Sequence, residues 1–175
     1  MILETQRLRI RPIELADMHA VFDYRSDTEA NKYQSWIPQT LQEVADFIAK
    51  NPENFNQPDS WFQLVIIDQS TQSVVGDIGI HFIDAANKLV EFGVTLSGDV
   101  QGKGYATEAL NAVFDALFLQ LDKHRISASI DPENVDSIKL MERLGLRKEA
   151  HFKESLWWNG RWVDDIIYAM LAKER

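Results

Sequence analysis

Apolar and polar positions alternate from Thr5 to Arg11, with Leu8 and Ile10 on one side and Arg7, Arg9 and Arg11 on the other. A period of two predicts a strand, and the arginines read as its solvated face. Pro12 ends that strand, and Glu14 to Tyr24 reads as a helix. Thr40-Leu41-Gln42-Glu43 has the form of a capping box opening a second helix through Ala49. Trp61 to Ile67, Val74 to Ile83 and Leu89 to Leu96 follow as strands. An amphipathic run from Thr107 to Leu121 places Ala109, Leu110, Val113 and Leu117 on one helical stripe. Arg125 to Ile130 is a short strand, and Ile138, Met141 and Leu144 share a face of another helix. Gly145 fits a left-handed cap with Leu146 as its apolar contact. Asn159-Gly160, between Trp157-Trp158 and Arg161-Trp162, is a hairpin signal, and the last strand runs from Val163 to Leu171. The order β-α-α-β-β-β-α-β-α-β-β places the chain among α/β (α+β) folds, with a mixed sheet and helices on both faces.

One register follows from the pattern. Pairing Ile78, Ile80 and Phe82 with Val94, Phe92 and Val90 makes one face of a hairpin wholly apolar, with Asp84 to Lys88 as its loop. The same register sets His81 opposite Glu91 on the other face.

At 175 residues, with 45% hydrophobic and 26% charged residues, one soluble domain spanning 1–175 is expected. There is no cysteine, so disulfides, thiolate metal sites and cysteine nucleophiles are excluded. The four histidines show no metal-ligand spacing, and no metal is expected. No apolar run reaches spanning length and the N-terminus lacks a signal-peptide pattern, so a cytoplasmic protein without a membrane partner is expected. A net charge of −9 disfavours nucleic acid, which binds through Lys and Arg. It suits a cationic substrate such as an amine, or serves solubility alone.

Gln101-Gly102-Lys103-Gly104-Tyr105-Ala106 is the most informative stretch. Two glycines between a strand and a helix leave backbone amides uncovered, which suits a phosphate or diphosphate. The triphosphate-binding loop G-x-x-x-x-G-K-[ST] fails, because Gly104 follows Lys103. The dinucleotide fingerprint G-x-G-x-x-G lacks its third glycine, since Thr107 stands there. A third pattern, Q/R-x-x-G-x-G/A, is met by Gln101, Gly104 and Ala106. Downstream, Asn134, Ser137 and Gly145 fit N-x-x-[SA]-x-x-x-x-x-x-x-G. On these two motifs, in this order with a strand between them, the sequence resembles the GNAT superfamily of acyl-CoA N-acyltransferases, of the RimJ/RimL type, over essentially its whole length.

The resemblance implies the GNAT fold, with a mixed, mostly antiparallel sheet, and acetyl transfer from acetyl-CoA to an amine. It implies that the amides of Gly102, Lys103, Gly104, Tyr105, Ala106 and Thr107 face the coenzyme A diphosphate, with Gln101 positioning the turn. Val94, Thr95 and Leu96 are expected to splay from the neighbouring strand and bond the pantetheine arm. Asn134 either reaches that arm or caps its helix. Met141 stands where many family members carry a tyrosine acid. Ser137, one turn earlier and expected on the same face, is then the candidate donor to the departing thiolate, or a helix cap. Glu91 matches a family glutamate, so the His81–Glu91 pair is the candidate base, or a plain cross-strand pair. The loop around Trp36 is expected to shape the acceptor side. Trp157, Trp158 and Trp162 line that cleft, fill the core or form an interface, leaving monomer and homodimer both open. An α-amine, with a pKa of about 8, needs less help from a base than a lysine at about 10.4. A protein N-terminus is therefore the expected acceptor, with aminoglycosides, polyamines and other small cationic amines as alternatives. A non-catalytic acyl-CoA sensor remains the alternative of another class.

Overall fold

Hydrophobic alternation builds one sheet. The computed structural model describes residues 1–175, and eight strands pair in the order β1-β2-β3-β4-β5-β6-β8-β7. The strands are β1 (Leu3–Glu4), β2 (Leu8–Pro12), β3 (Ser60–Asp68), β4 (Ser73–Phe82), β5 (Leu89–Leu96), β6 (Arg125–Ile130), β7 (Arg147–Trp158) and β8 (Arg161–Leu171). Every neighbouring pair is antiparallel except β5 and β6. Helices α1 (Met18–Arg25), α2 (Leu41–Ala49), α3 (Tyr105–Asp115) and α4 (Val135–Arg143) cover it from both sides. No helix is long and apolar enough to cross a membrane.

Two cores divide the work. The larger packs α3 and α4 on one face, through Leu110, Val113, Phe114 and Met141 against Ile78, Ile80, Val90 and Phe92. Each such fully buried side chain contributes about 1.5–3 kcal/mol. The smaller packs α1 and α2 on the other face, through Val21, Val44 and Ile48 against Val65 and Ile67.

Several boundaries differ from the sequence reading, each for a local reason. The first strand, expected from Thr5, begins only at Leu8, because Thr5 Oγ1 accepts from the Leu8 amide in a turn that folds β1 back on β2. The first helix starts with a 3-10 turn at Leu15–Asp17, because the Asp17 carboxylate accepts from the Glu14 amide and from Arg11. At α2, Thr40 accepts from the Glu43 amide, but the Glu43 carboxylate reaches the Gln39 amide rather than that of Thr40. Helix α3 starts two residues early and ends in a π turn over Ala116–Gln120. The β4–β5 register is as expected, with Ile78 opposite Val94, Ile80 opposite Phe92 and His81 opposite Glu91. Asn159 and Gly160 take φ of 46° and 80°, as a type I′ hairpin turn requires.

Candidate active site

A parting in the sheet makes the site. β5 and β6 pair only from Leu89–Glu91 against Arg125–Ser127, and beyond Glu91 they separate. The freed end of β5 is held from its other side by β4. Gly76 lies opposite Leu96, so close that a Cβ there would come 2.4 Å from the Thr95 carbonyl oxygen. Only glycine permits that approach.

A cleft of about 460 Å³ opens at this parting. It gathers Val94, Thr95 and Leu96 from β5, and Gln101, Gly102, Gly104, Tyr105, Ala106 and Thr107 from the glycine turn and the start of α3. Asn134 and Ser137 enter from α4. Eleven of the twelve expected cofactor residues thus line one cavity, and Lys103 is the exception. Its side chain is exposed, and its carbonyl accepts from Arg7 Nη1 at 3.0 Å.

The glycine turn is built for an anion. Gly102 and Gly104 have φ of 72° and 81°, and Gly104 is the N-cap of α3. The amides of Gly102, Lys103, Gly104, Tyr105, Ala106 and Thr107 find no acceptor within the chain. Such a run, beside the positive end of a helix, fits a diphosphate. Thr107 Oγ1 is also buried without a partner, and Lys139 and Arg143 add positive charge to the wall.

Neighbours fix the turn in place. Gln101 Nε2 donates to the Leu96 carbonyl at 3.2 Å, which positions the turn on the β5 end. Arg7 lies over the Tyr105 ring at 4.5 Å and pairs with Glu108. Burial works against the Glu108 carboxylate, but bonds from Thr5 and Arg7 outweigh it and hold its pKa below the ordinary value. Tyr105 donates to Asp68, and hydrogen bonds from Ser70 and Tyr105 hold the Asp68 carboxyl down at about 2. Arg7 is thus more than part of a solvated strand face, and nothing in a strand alternation distinguishes it from Arg9.

On α4, Asn134 Oδ1 accepts from the Ser137 amide at 3.1 Å, so Asn134 caps the helix while it lines the cleft. The Ser137 hydroxyl makes no hydrogen bond in the chain and is free toward the cleft, so it is not the cap. Met141 does not share that side. It is 2% exposed and belongs to the main core, while Leu140 takes the next cleft-facing place.

His81 and Glu91 face each other with Nδ1 3.6 Å from Oε2, and Trp61 stacks on the imidazole at 4.6 Å. They stand outside the cleft lining, on the sheet face away from α3 and α4. The loop between α1 and α2 does reach the cleft, but through Ala30–Gln34 and not through Trp36. Trp36 stacks on Phe47 at 4.2 Å and packs on the smaller core, because Arg25 draws in its carbonyl and lies near its ring. Tyr33 hydroxyl donates to the Glu133 carbonyl at 3.3 Å, which makes the loop a strap across the cleft. Trp157 and Trp162 form an exposed edge-to-face pair at the hairpin and do not line the cleft, nor does Trp158.

Comparison with known proteins identifies the family. The acetyltransferase (GNAT) domain family matches residues 7–147. The chain is 33% identical over 174 residues to the uncharacterized N-acetyltransferase YnaD of Bacillus subtilis, with 99% of each chain covered. A GNAT-family acetyltransferase crystal structure from Bacillus anthracis superposes with a TM-score of 0.89 at 31% identity, covering 99% of this chain and all (100%) of the other. Two structures share the fold at lower identity. One is a spermidine N-acetyltransferase from Vibrio cholerae with CoA and spermine, with TM-score 0.83 and 22% identity over 97% and 98% of the chains. The other is RimL, a ribosomal L7/L12 α-N-protein acetyltransferase with CoA, with TM-score 0.86 and 19% identity over 98% of each chain. The chain therefore belongs to the GNAT family, and it is an N-acetyltransferase that takes acetyl-CoA as its cosubstrate.

Proposed function

We propose that the acceptor is a primary amine, and first among these the N-terminal α-amine of a protein or peptide, as in RimJ/RimL-type enzymes. The observation that carries the amine-transfer mechanism is the run of unpartnered amides at the parted strands. There the diphosphate is held at the start of α3, and the thioester is led along the free end of β5.

The amine nitrogen attacks the thioester carbonyl carbon, the C–S bond breaks, and the sulfur leaves with the bonding electrons. Ser137 donates a hydrogen bond to the departing thiolate, because its hydroxyl has no other acceptor in the chain. That free hydroxyl supports catalysis over mere acyl-CoA sensing. His81, with Glu91 beside it, accepts the proton lost by the amine through intervening water. The pair stands outside the cleft lining, so no strong base touches the thioester site. An acceptor whose amine is partly neutral near pH 7.5 suits that arrangement.

A second reading, a small cationic amine, is favoured by the net charge of −9. A cytoplasmic setting belongs with either reading.

Thiol release from acetyl-CoA tests the proposal, with Ala-, Ser- and Met-initiated peptides, spermidine and kanamycin as acceptors. Turnover of a peptide with a free N-terminus, lost on N-terminal blocking, supports the first reading. Turnover of spermidine or kanamycin alone supports the second, and silence with all of them contradicts both.

A further inference from the structure

The cleft inverts the charge of the chain. The whole sequence carries 27 acidic residues against 18 basic ones. The cleft is lined by Lys32, Lys139 and Arg143, against the single carboxylate of Asp136. Lys32 already pairs with Glu29 at 2.9 Å. Lys139 and Arg143 make no ion pair within the chain. We propose that these two side chains of α4 hold the ribose 3′-phosphate of coenzyme A, so that the enzyme tells CoA from dephospho-CoA. This recognition acts on the donor, whichever amine is the acceptor, and it rests on the diphosphate lying at the glycine turn.

Helical spacing brings the two cations together. Asp136, Leu140 and Arg143 recur along one face of α4, with Lys139 beside Leu140, and this face lines the cleft while Met141 turns into the core. Lys139 and Arg143 are i, i+4 neighbours there, a spacing at which like charges repel. Asp136, one turn before Lys139, does not relieve them, since it pairs with neither. Glu142, between them in sequence, accepts the Tyr168 hydroxyl at 3.4 Å instead. A bound anion relieves such a repulsion, and its attraction is stronger inside a cleft than at open surface.

The diphosphate is served by other groups. The free amides from Gly102 to Thr107, with Thr107 Oγ1, supply its donors. The remaining anion of CoA is the phosphate on its ribose, next to the diphosphate. A phosphate monoester carries about −1.5 to −2 at pH 7 and offers three strong acceptor oxygens. Arginine presents a planar fork of N–H donors and lysine three more, and neither has an acceptor. Asn134 and Ser137, at the start of α4, are assigned to the pantetheine arm and the sulfur. Arg143, in the last turn, stands about 9 Å farther along the axis at about 1.5 Å per residue. One helix thus serves the sulfur at its start and the ribose phosphate farther on.

Calorimetric titration of the full chain with CoA and with dephospho-CoA tests this. The wild type is expected to bind CoA about tenfold tighter or more, since charge-assisted bonds to one phosphate are at stake. That preference shrinks as salt rises. The Lys139→Gln, Arg143→Gln double variant is expected to bind the two ligands alike, with its affinity for dephospho-CoA unchanged. Its melting temperature without ligand holds, because both side chains are exposed. The Lys50→Gln, Lys148→Gln variant makes the same change in net charge at exposed sites away from the cleft and keeps the preference for CoA. Equal binding of both ligands by the wild type, or a preference that survives in the double variant, overturns the assignment. So does an equal loss of affinity for both ligands, which places the two cations on the diphosphate instead. In each of these cases, bound dephospho-CoA leaves the amide cradle standing, whereas a wild type that binds neither ligand sinks the cradle as well.

Discussion

Arg25 grips Asp77 through both carboxylate oxygens, Nε to Oδ2 at 2.8 Å and Nη2 to Oδ1 at 2.6 Å. Asp77 lies directly opposite Thr95, on the free end of β5. Tyr24 adds a third bond to the same carboxylate, and Asn31 ties the strap back to the Tyr24 carbonyl. Burial works to lower the Arg25 pKa, but Asp77 outweighs it and raises it. The pair thus joins the strap over the cleft to the strand beneath it.

Removing one partner of this buried pair leaves the other charge uncompensated. Asp77→Asn is expected to cost about 3–5 kcal/mol in urea unfolding. The Arg25→Met, Asp77→Leu double variant recovers part of that cost. A loss below 1 kcal/mol for the single variant contradicts the role given to the pair.

Lys123 gives a pH signature. It is 1% exposed, with Nζ donating to the Asn87 carbonyl and side chain at 2.6 Å each. Burial, with repulsion from Lys88 second, pushes its pKa down to about 8. An unfolded lysine, near 10.4, binds more protons than the folded one between those values. Stability therefore rises with pH from about 8 to 10.4, by up to about 3 kcal/mol, and the penalty is fully present below 8. Denaturant melts across that window check it: Lys123→Met flattens the rise, and an unchanged slope contradicts the assignment.

Arg7 braces the glycine turn from outside the cleft. Arg7→Met is expected to weaken CoA binding about tenfold, since a charge-assisted bond to the turn is lost. The melting temperature barely moves, because the Arg7–Glu108 pair is partly exposed. Calorimetric titration with CoA beside a thermal melt separates the two effects.

Much of this was legible in the chain because it depends on local pattern. Periodicity located β5 and β6 to the residue, and apolar matching across one hairpin set His81 against Glu91. The glycine turn was readable because left-handed backbone and exposed amides need particular residues at particular spacing. What escaped depends on distant partners. Arg25 and Asp77 are 52 residues apart, and Tyr33 and Glu133 are 100 apart. Trp36 went astray for the same reason, since its place is set by Phe47 and Arg25. Asp77 did leave a trace, as a carboxylate between Gly76 and Ile78 in a mostly apolar strand, which calls for a buried partner. Met141 was misplaced relative to Ser137, because four residues turn a helix by about 400° and the narrow α4 divides cleft from core within that drift.

Ser137→Ala isolates the leaving-group step. Loss of a hydrogen bond to a departing anion is expected to lower kcat about ten- to a hundredfold. The dissociation constant for CoA stays the same, because the hydroxyl acts on the sulfur only as charge develops. Rapid-quench measurement of the chemical step distinguishes this from slowed product release.

The central claim is that main-chain amides before and within the first turn of α3 hold the diphosphate of coenzyme A. Calorimetric titration of CoA into wild type and Gly104→Asp tests it most directly. Aspartate tolerates left-handed backbone better than most residues, and its Cβ would meet only Arg7 Nη2 at 3.5 Å, so the variant folds. A carboxylate set against the diphosphate is expected to abolish CoA binding while the thermal melt stays cooperative. Wild-type affinity in a folded Gly104→Asp protein would contradict the claim.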